Sequence, residues 1–383
     1  MGIITRMKFK IGFDAHRLFH NNTGLGNYSR TLVSSLRTLC PEIEIHLFCA
    51  KPKENNFNSE FFDGQKYILH HCTHGISISW RHFEIPKLIE KYQLDIYHGL
   101  SAEIPKAILK TNVKKVVTIH DIIFLEFPKQ YPWLDRQVYN IKSKKACEYA
   151  DKIVAISEAT KEAIVKYYPE VNPAKIDVIY QSCHPRFWQT INPQDIEELR
   201  SSFKLPPKFF LYVGSIIERK NLLNLVKAIG FMDEKERIPL VVLGTGKTYL
   251  AEIKSYIKSE NLKPWFIFFE AFPYEKLPTL YKASVASIYP SLSEGFGIPV
   301  LESLCTGTLT ITHKHSSLKE AGGEAACLVD CTSPQEIKSA MEKALNDQSW
   351  KEEYLKKIHN HLQKFKLENA TNQYLSLYTA LLK

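Results

Sequence analysis

The residues best suited to chemistry are concentrated in the segment 291–304, which reads SLSEGFGIPVLESL. Glu294 precedes Gly295 and Gly297, and Glu302 follows eight residues after Glu294. Glycines let the main chain approach a ligand closely, and free N–H groups at a helix start bind anions. A carboxylate accepts hydrogen bonds from paired sugar hydroxyls. The acid, the two glycines and the proline after them therefore predict a ligand-binding loop and helix start, rather than a capped helix with two solvated glutamates.

A second group of polar residues follows the apolar run Phe209–Val213. Gly214 and Ser215 come directly after that run, and Arg219 and Lys220 follow four residues later. An Arg-Lys pair alone is more often a solvated surface. The strand and glycine turn before it favour a phosphate site, where two cations stabilise a diphosphate leaving group.

His120 and Asp121 end the apolar run Val116–Ile119. A loop at the carboxyl end of a strand is a common ligand position, where His can donate to a sugar hydroxyl and Asp can act as a base. A capping Asp beside a surface His is equally compatible with these residues. Gly24 and Gly26 precede a helix predicted to begin near Asn27, but the third glycine of a dinucleotide fingerprint is missing, so this signal is weak.

Short apolar runs alternate with helical patterns along the chain, which is typical of parallel sheets with crossover helices. A proline-rich break near 183–207 separates two such series, and an amphipathic helix is predicted over Glu368–Leu382. The predicted strands are Lys10–Phe13, Ile43–Phe48, Tyr67–His70, Asp95–His98, Val116–Ile119, Ile153–Ile156, Phe209–Val213, Pro239–Leu243, Trp265–Phe269, Ala286–Tyr289, Leu309–Thr312 and Cys327–Val329. Two doubly wound α/β domains in series are expected.

Four motifs, in this order, resemble those of the family 4 glycosyltransferases of the GT-B type. They are the glycine loop NTGLGNYSR (22–30), the turn TIHD (118–121), the phosphate turn VGSIIERKN (213–221) and the Glu-x7-Glu pair formed by Glu294 and Glu302. The resemblance extends over essentially the whole chain. It implies a GT-B fold, with two Rossmann-like domains facing across a cleft.

The resemblance also implies a role for each domain and a set of site residues. It places an acceptor-side domain at 1–188, a donor-binding domain at 189–366, and a final helix at 367–383 that packs back on the first domain. The implied catalytic residues are Glu294, Arg219, Lys220, His120 and Asp121. The implied substrate-binding residues are Gly24, Gly26, Gly214, Ser215, Gly295, Phe296, Gly297, Ile298 and Glu302.

The implied reaction is retaining transfer of a hexosyl group from a GDP- or UDP-sugar to a glycan or lipid-linked acceptor in surface polysaccharide synthesis. The segment FLEFPKQYPW (124–133) is most similar to bacterial mannosyltransferases. No cofactor and no metal are expected, because the chain contains no Asp-x-Asp motif to hold a divalent ion on the diphosphate. Two alternatives remain open: a sugar-nucleotide epimerase or hydrolase of the same architecture, and a non-catalytic polyanion-binding module.

Charge and composition favour a cytoplasmic protein, with peripheral contact at an anionic inner membrane surface as a further expectation. The net charge is +9, and residues 1–190 carry 26 basic and 19 acidic side chains. The eight cysteines form no CxxC pair, the first residues are not typical of a signal peptide, and no apolar run is long enough to span a bilayer. No nucleic-acid partner is expected, and the oligomeric state is not predicted.

Two further patterns are interpreted as decoys. The run GTGKT (244–248) lacks the first glycine of a phosphate-binding P-loop. The cluster HHCxH (70–74) places neighbouring side chains on opposite faces of a strand, which disfavours a shared tetrahedral metal site.

Overall fold

The computed structural model describes residues 8–72 and 77–383, and it divides the chain into two compact units. Unit 1 comprises the described residues up to Gln181 together with Leu367–Lys383, and unit 2 comprises Ser182–Lys366. The boundary predicted from the sequence follows Trp188, whereas unit 2 begins at Ser182. His74 of the HHCxH cluster lies outside the described residues.

Unit 1 is built on a parallel sheet with the order β3-β2-β1-β4-β5-β6-β7. Its strands are β1 (Lys10–Asp14), β2 (Glu44–Phe48), β3 (Ile68–His70), β4 (Ile96–Gly99), β5 (Lys114–Ile119), β6 (Lys152–Ala155) and β7 (Ile176–Val178). Its helices up to Gln181 are α1 (His16–His20), α2 (Gly24–Leu39), α3 (Ser77–Tyr92), α4 (Ile123–Glu126), α5 (Trp133–Tyr149) and α6 (Glu158–Tyr167). The central strands are buried on both faces, so their residues contribute to two apolar clusters, one on each side of the sheet.

Unit 2 repeats this architecture with the parallel order β10-β9-β8-β11-β12-β13. Its strands are β8 (Phe210–Val213), β9 (Leu240–Leu243), β10 (Phe266–Phe269), β11 (Ala286–Tyr289), β12 (Thr310–His313) and β13 (Cys327–Val329). Its helices are α7 (Pro193–Phe203), α8 (Leu222–Phe231), α9 (Thr248–Ser259), α10 (Leu277–Ala283), α11 (Ile298–Cys305), α12 (Ser316–Gly322), α13 (Pro334–Asn346) and α14 (Gln348–Leu362). The two parallel-sheet units confirm the predicted α/β class.

The final helix, α15 (Leu367–Leu381), belongs to unit 1, although it follows unit 2 in sequence. It packs on α2, and its buried face carries two tyrosines that reach the sheet. The Tyr374 hydroxyl lies 2.7 Å from that of Tyr28, and the Tyr378 hydroxyl lies 2.7 Å from Nδ1 of His98. Thr118 on β5 connects Tyr28 to His98 through its hydroxyl, so α15 is tied into a buried polar network.

The strand order reverses between β1 and β4 in unit 1, and between β8 and β11 in unit 2. In open parallel sheets, ligands bind at the carboxyl ends of the strands beside such a reversal. The two turns predicted to contact the donor follow β8 and β11, so they lie together at the reversal in unit 2. Across the described residues, no helix combines the length and apolar character that a bilayer span requires.

Candidate functional site

The turn after β8 is fixed to the turn after β11 by Asn221. This residue adopts a left-handed conformation with φ of 60°, which Asn tolerates better than most residues. Its side-chain amide donates to the carbonyl oxygens of Pro290 at 3.1 Å and Cys331 at 2.7 Å. Asn221 belongs to the quoted phosphate-turn motif, yet the sequence analysis assigns it no role. It holds the short helical turn Glu218–Lys220 against the β11 loop.

Arg219, Lys220 and Glu294 form one ion-paired cluster in unit 2. Arg219 pairs with one carboxylate oxygen of Glu294 at 3.1 Å, and Lys220 pairs with the other oxygen. The hydroxyls of Ser291 and Tyr289 donate to the same carboxylate at 2.5 and 2.9 Å. Although burial opposes ionisation, the charges of Lys220 and Arg219 lower the pKa of Glu294 to about 2. The cluster therefore contains two cations and one anion, and it keeps one net positive charge.

Tyr289 is a member of this cluster that the sequence analysis missed. It ends β11, and its hydroxyl also accepts from the Lys220 ammonium at 2.6 Å. A tyrosine at the end of a buried strand looks like an ordinary core residue in the sequence. Its hydrogen bond with Lys220 therefore cannot be predicted from the sequence alone.

The loop after Glu294 enters α11 through Gly297, whose φ is 125°. A Cβ at this position would lie 3.0 Å from Leu318, and the positive φ would strain any other residue. Pro299 occupies the first turn of α11, as predicted. The Phe296 ring is buried, with its centroid 5.5 Å from that of Phe365. The Phe296 ring is therefore part of the packing of unit 2, and the ligand contacts predicted for Gly295, Phe296 and Ile298 stay predictions.

Glu302 lies on α11, and in contrast to Glu294 its pKa is raised rather than lowered by its surroundings. Its side chain is buried, and the Tyr281 hydroxyl donates to it at 3.2 Å. Burial raises the pKa of Glu302 to about 8, and the hydrogen bond from Tyr281 offsets only part of that rise. The carboxyl group is therefore mainly protonated at neutral pH. Tyr281, on α10, is a second partner that the sequence analysis missed.

In unit 1, Gly24 and Gly26 lie inside the first turn of α2, which begins at Gly24 rather than near Asn27. Gly24 has open space where a Cβ would point. A Cβ on Gly26 would lie 1.6 Å from the backbone oxygen of Asn21. Gly26 is thus required by close backbone packing, whereas Gly24 is free to face a ligand.

His120 is half-buried directly after β5, and both ring nitrogens are engaged. Nε2 lies 2.9 Å from the Leu100 carbonyl, to which it donates, and Nδ1 accepts from the Gln181 amide at 3.0 Å. Burial lowers the pKa of His120 to about 4. The ring is therefore neutral, and its proton is directed to Leu100 rather than to solvent. One Asp121 oxygen accepts from the Ile123 N–H at 3.2 Å, which is the capping contact that the sequence alone left open.

The predicted decoys have structural roles. Gly244 allows the turn after β9 to lie close to the turn after β8. A Cβ at this position would lie 1.9 Å from the Gly214 oxygen, so a larger residue would not fit. His70 stacks on Phe48, and its Nε2 lies 2.8 Å from Nδ1 of the buried His46. Within the described ranges, His16, His20 and Cys49 could hold a metal ion, since their ligand atoms lie within 4.8 Å of one another. The sequence analysis does not select these residues, and metal independence stays a prediction.

The repeated parallel sheets define a two-unit α/β protein, and its second unit carries an ion-paired cluster at a strand-order reversal. Two family models match the chain: Glycosyltransferase Family 4 over residues 22–185, and Glycosyl transferases group 1 over residues 195–364. The protein belongs to this glycosyltransferase family, which confirms the resemblance found in the sequence.

Individual relatives agree with this assignment. The O-antigen chain mannosyltransferase B of Escherichia coli is 26% identical over 97% of this chain and 100% of its own length. A glycosyltransferase structure from Rickettsia africae has a TM-score of 0.76 at 16% identity, covering 98% and 99% of the two chains. Anabaena HepE in complex with UDP has a TM-score of 0.75 at 15% identity, covering 98% and 100%. These structures confirm the GT-B fold.

Proposed function

We propose that this protein transfers a mannosyl group, with retention of configuration, from a nucleotide diphosphate sugar to a glycan or lipid-linked acceptor in surface polysaccharide synthesis. The observation that carries the proposal is the Arg219–Lys220–Glu294 cluster beside the β8–β11 reversal. Support for mannose comes from the E. coli mannosyltransferase named above, which matches along its full length. Support for a nucleotide donor comes from the HepE structure, which contains UDP.

The donor diphosphate is assigned to unit 2. In the reaction, the bond between C1 of the sugar and the phosphate oxygen breaks, and C1 bonds to the acceptor oxygen on the same face. Negative charge grows on the departing diphosphate, which takes up the acceptor proton. Arg219 and Lys220 stabilise that charge, because buried cations act strongly on a charge that develops in the transition state. This assignment does not need a metal ion.

Glu294 is assigned to the transferred sugar, and Glu302 to the ribose of the nucleotide. Glu294 is ionised and held by both cations, so it keeps Arg219 and Lys220 in place until the diphosphate arrives. Glu302 lies in α11, eight residues after Glu294, and accepts a hydrogen bond from the neutral Tyr281 hydroxyl. A ribose carries two adjacent hydroxyl groups, and one carboxylate can accept a hydrogen bond from each of them.

The acceptor is assigned to unit 1, near His120 and Asp121. The neutral His120 is fixed by Leu100 and Gln181, so it orients the end of β5 and holds the loop that carries Asp121. Asp121 is the more suitable group for orienting an acceptor hydroxyl, because a carboxylate in the loop after β5 can accept a hydrogen bond from that hydroxyl. We place the protein in the cytoplasm, where nucleotide sugars are available.

The test combines binding with product analysis. A thermal-shift screen of GDP-mannose, GDP-glucose, UDP-glucose and the bare nucleotides identifies the donor, since ligands that bind the folded state raise Tm. The best donor is then incubated with mannosylated acceptors, and the anomeric configuration of the product is read by NMR. An α-mannoside formed from an α-linked donor supports the proposal. An isomerised or hydrolysed donor formed without acceptor would support the epimerase or hydrolase alternative instead, and no shift with any nucleotide would contradict both.

A further inference from the structure

Two histidines and a cysteine come together at the carboxyl ends of β1 and β2 in unit 1. His16 and His20 stand at the two ends of α1, which follows β1, and Cys49 directly follows β2. Their ligand atoms all lie within 4.8 Å of one another. Nε2 of His20 lies 3.7 Å from Sγ of Cys49, and the two imidazole rings have centroids 4.7 Å apart. The proposed transfer reaction uses none of these three side chains.

The parallel sheet fixes this arrangement. Strands β1 and β2 pair in register, with Asp14 opposite Phe48, so the two strands end at the same level. The Ala15 N–H extends the pairing by donating to the Phe48 carbonyl at 2.9 Å. The Cys49 N–H in turn donates to the carbonyl of His70 on β3 at 3.0 Å. The segments that follow β1 and β2 are therefore held side by side by the backbone.

Helix α1 presents both histidines on the same side. Residues four positions apart lie one above the other on a helix. Leu18 and Phe19, between the histidines, are buried in the core of unit 1, so the helix cannot turn about its axis without exposing them. His16 and His20 are exposed, and Cys49 is buried. The two imidazoles are therefore accessible from solvent and are fixed next to a buried sulfur.

The Cys49 sulfur accepts a hydrogen bond from the Lys51 backbone N–H. This bond favours the thiolate, but burial outweighs it and raises the pKa of Cys49 to about 12. Without a cation the thiol therefore keeps its proton. A metal ion that coordinates the sulfur takes the place of that proton, which passes to solvent, since cysteine binds metals as a thiolate.

The three donor atoms select the kind of ion. Imidazole nitrogen and thiolate sulfur are preferred by Zn²⁺ and related transition metals, whereas Mg²⁺ and Ca²⁺ prefer oxygen ligands. Burial and the neighbouring His20 lower the pKa of His16, so the His16 ring is mainly neutral at neutral pH and can coordinate. Three such protein ligands match the zinc sites that keep a fourth position open.

A cavity of about 380 Å³ adjoins the three donors and provides room for a fourth ligand. Asp14 and Arg81 line this cavity and form an ion pair with each other. The second Asp14 oxygen accepts from the His16 backbone N–H at 3.3 Å. Both Asp14 oxygens already have partners, so the fourth position is assigned to water.

We infer that His16, His20 and Cys49 bind a Zn²⁺ ion, with water as the fourth ligand. The spacing of the two histidines on α1, the adjacent thiol and the cavity beside them all meet the requirements of such a site. This ion is separate from the diphosphate-bound metal that the sequence argues against, and it takes no part in the proposed transfer step.

A zinc ion in this position connects α1 to the segment after β2. Asn21 directly follows α1, and its side-chain oxygen accepts from the backbone N–H groups of Thr23 and Gly26 at 2.8 and 3.1 Å. By restraining α1, the ion also restrains the glycine loop (22–30) at its first residues. Hydrogen exchange of the backbone in α1 and at the start of α2 should therefore slow when Zn²⁺ binds.

Calorimetry with Zn²⁺ tests the inference. The full chain is reduced, freed of metal with EDTA and dialysed, and it is then titrated with Zn²⁺ and separately with Mg²⁺. We expect a saturable Zn²⁺ site that is weakened at least ~10-fold in His16→Ala and in His20→Ala, because each variant removes a ligand. No comparable binding of Mg²⁺ is expected. Both histidines are exposed, so these substitutions should leave the fold intact.

The matched control is His82→Ala/Cys40→Ser, which removes an imidazole and a thiol of unit 1 outside the cluster. It should bind Zn²⁺ like the unsubstituted chain, and circular dichroism should show that all variants are folded. Zn²⁺ should raise the Tm of the unsubstituted chain and of the control more than that of the two His variants. Absence of Zn²⁺ binding, or equal affinity in the His16 and His20 variants, would overturn the inference.

Co²⁺ in place of Zn²⁺ reports on the cysteine, because a thiolate bound to Co²⁺ gives a charge-transfer absorption. This absorption should appear with the unsubstituted chain and be lost in Cys49→Ser. Its persistence in that variant, or Co²⁺ binding to the unsubstituted chain without it, would also overturn the inference. Transfer is assayed in parallel. Absence of transfer contradicts the proposed function alone, whereas Zn²⁺ binding reports only on the three-residue site.

Discussion

Glu294 and Glu302 lie within one loop and helix, but their carboxyl groups have opposite protonation states. Two cations hold the pKa of Glu294 at about 2, whereas burial beside a neutral tyrosine raises that of Glu302 to about 8. Glu294 is therefore a fixed anion, whereas Glu302 is mainly protonated at neutral pH and loses its proton to solvent as the pH rises through about 8. The sequence spacing alone treats the two glutamates as equivalent.

Replacing each glutamate by Gln should separate their roles. Glu294→Gln is expected to lower kcat more than ~10-fold while leaving the Kd of the nucleotide diphosphate within about threefold. The reason is that charge-assisted hydrogen bonds contribute roughly 1.5–3 kcal/mol, and the lost anion is assigned to the transferred sugar, which is positive in the transition state. Calorimetry with the nucleotide diphosphate, alongside transfer kinetics, measures both quantities. Glu302→Gln should instead weaken the nucleotide, and the opposite pattern would mean that the two roles are interchanged.

Nucleotide affinity should depend on pH through Glu302. The ionised form that accepts both ribose hydroxyls becomes populated as the pH rises through about 8, so the Kd should fall between pH 7 and pH 9. Because the folded pKa lies above the unfolded value, the same group stabilises the unliganded fold at low pH, and that contribution is lost as the pH rises through about 8. Calorimetry at several pH values measures the Kd, and Glu302→Gln should flatten the profile. An unchanged pH profile in that variant would remove Glu302 from the linkage.

Arg219→Ala and Lys220→Ala should each reduce turnover more than ~10-fold, because each removes a charge that stabilises the leaving diphosphate. Steady-state kinetics with the best donor measures the loss. Lys235→Ala is the matched control, since Lys235 is an exposed lysine of the same unit outside the cluster. Turnover close to that of the control in both variants would disprove the phosphate assignment.

At the scale of elements, the sequence predicts most strands within one or two residues, because buried parallel strands appear as short apolar runs. Ala286–Tyr289 and Cys327–Val329 match the observed β11 and β13. Strand β7 is not predicted from the sequence, because its three residues include a charged Asp177 and it lies at the edge of the sheet. It also starts α2 too late, since two glycines obscure a helical turn that tertiary packing enforces.

The candidate site can be predicted only in part, because its contacts join residues that are distant in the sequence. Arg219, Lys220, Glu294 and Glu302 can be proposed because charged residues beside glycines are conspicuous. The pairing of Glu294 with both cations depends on turns that are some 70 residues apart and adjacent only in the folded sheet. The burial of Glu302 depends on Tyr281, which belongs to another helix. Neither the ion pairing of Glu294 nor the burial of Glu302 can be predicted from a local sequence pattern.

The start of α2 offers a matched pair of substitutions. Gly26→Ala should destabilise unit 1 by about 1–3 kcal/mol, because its Cβ would lie 1.6 Å from the Asn21 oxygen and the backbone must move. Gly24→Ala meets no atom within 4 Å and should be neutral or stabilising by up to ~1 kcal/mol. Urea denaturation midpoints of the two variants measure the difference. Equal midpoints would show that the close approach at Gly26 is not maintained in solution.

At the scale of the whole molecule, the proposal assigns the acceptor to unit 1 and the diphosphate to unit 2, where Arg219 and Lys220 would neutralise it. Transfer activity should therefore survive treatment with EDTA, within about twofold. The measurement is the initial rate before and after chelation, with readdition of Mg²⁺ or Mn²⁺. Loss of activity that either ion restores would mean that a metal shares the charge on the diphosphate.

The position of α15 also affects how the nascent chain folds. Unit 2 is complete once Lys366 has been synthesised, but the unit 1 core still lacks Tyr374 and Tyr378. The domain that is synthesised first is therefore completed last. At roughly 5–20 residues per second, translation of unit 2 leaves the α2 side of the first sheet partly uncovered for on the order of 10–40 s. During that interval this apolar surface is available to a ribosome-associated chaperone.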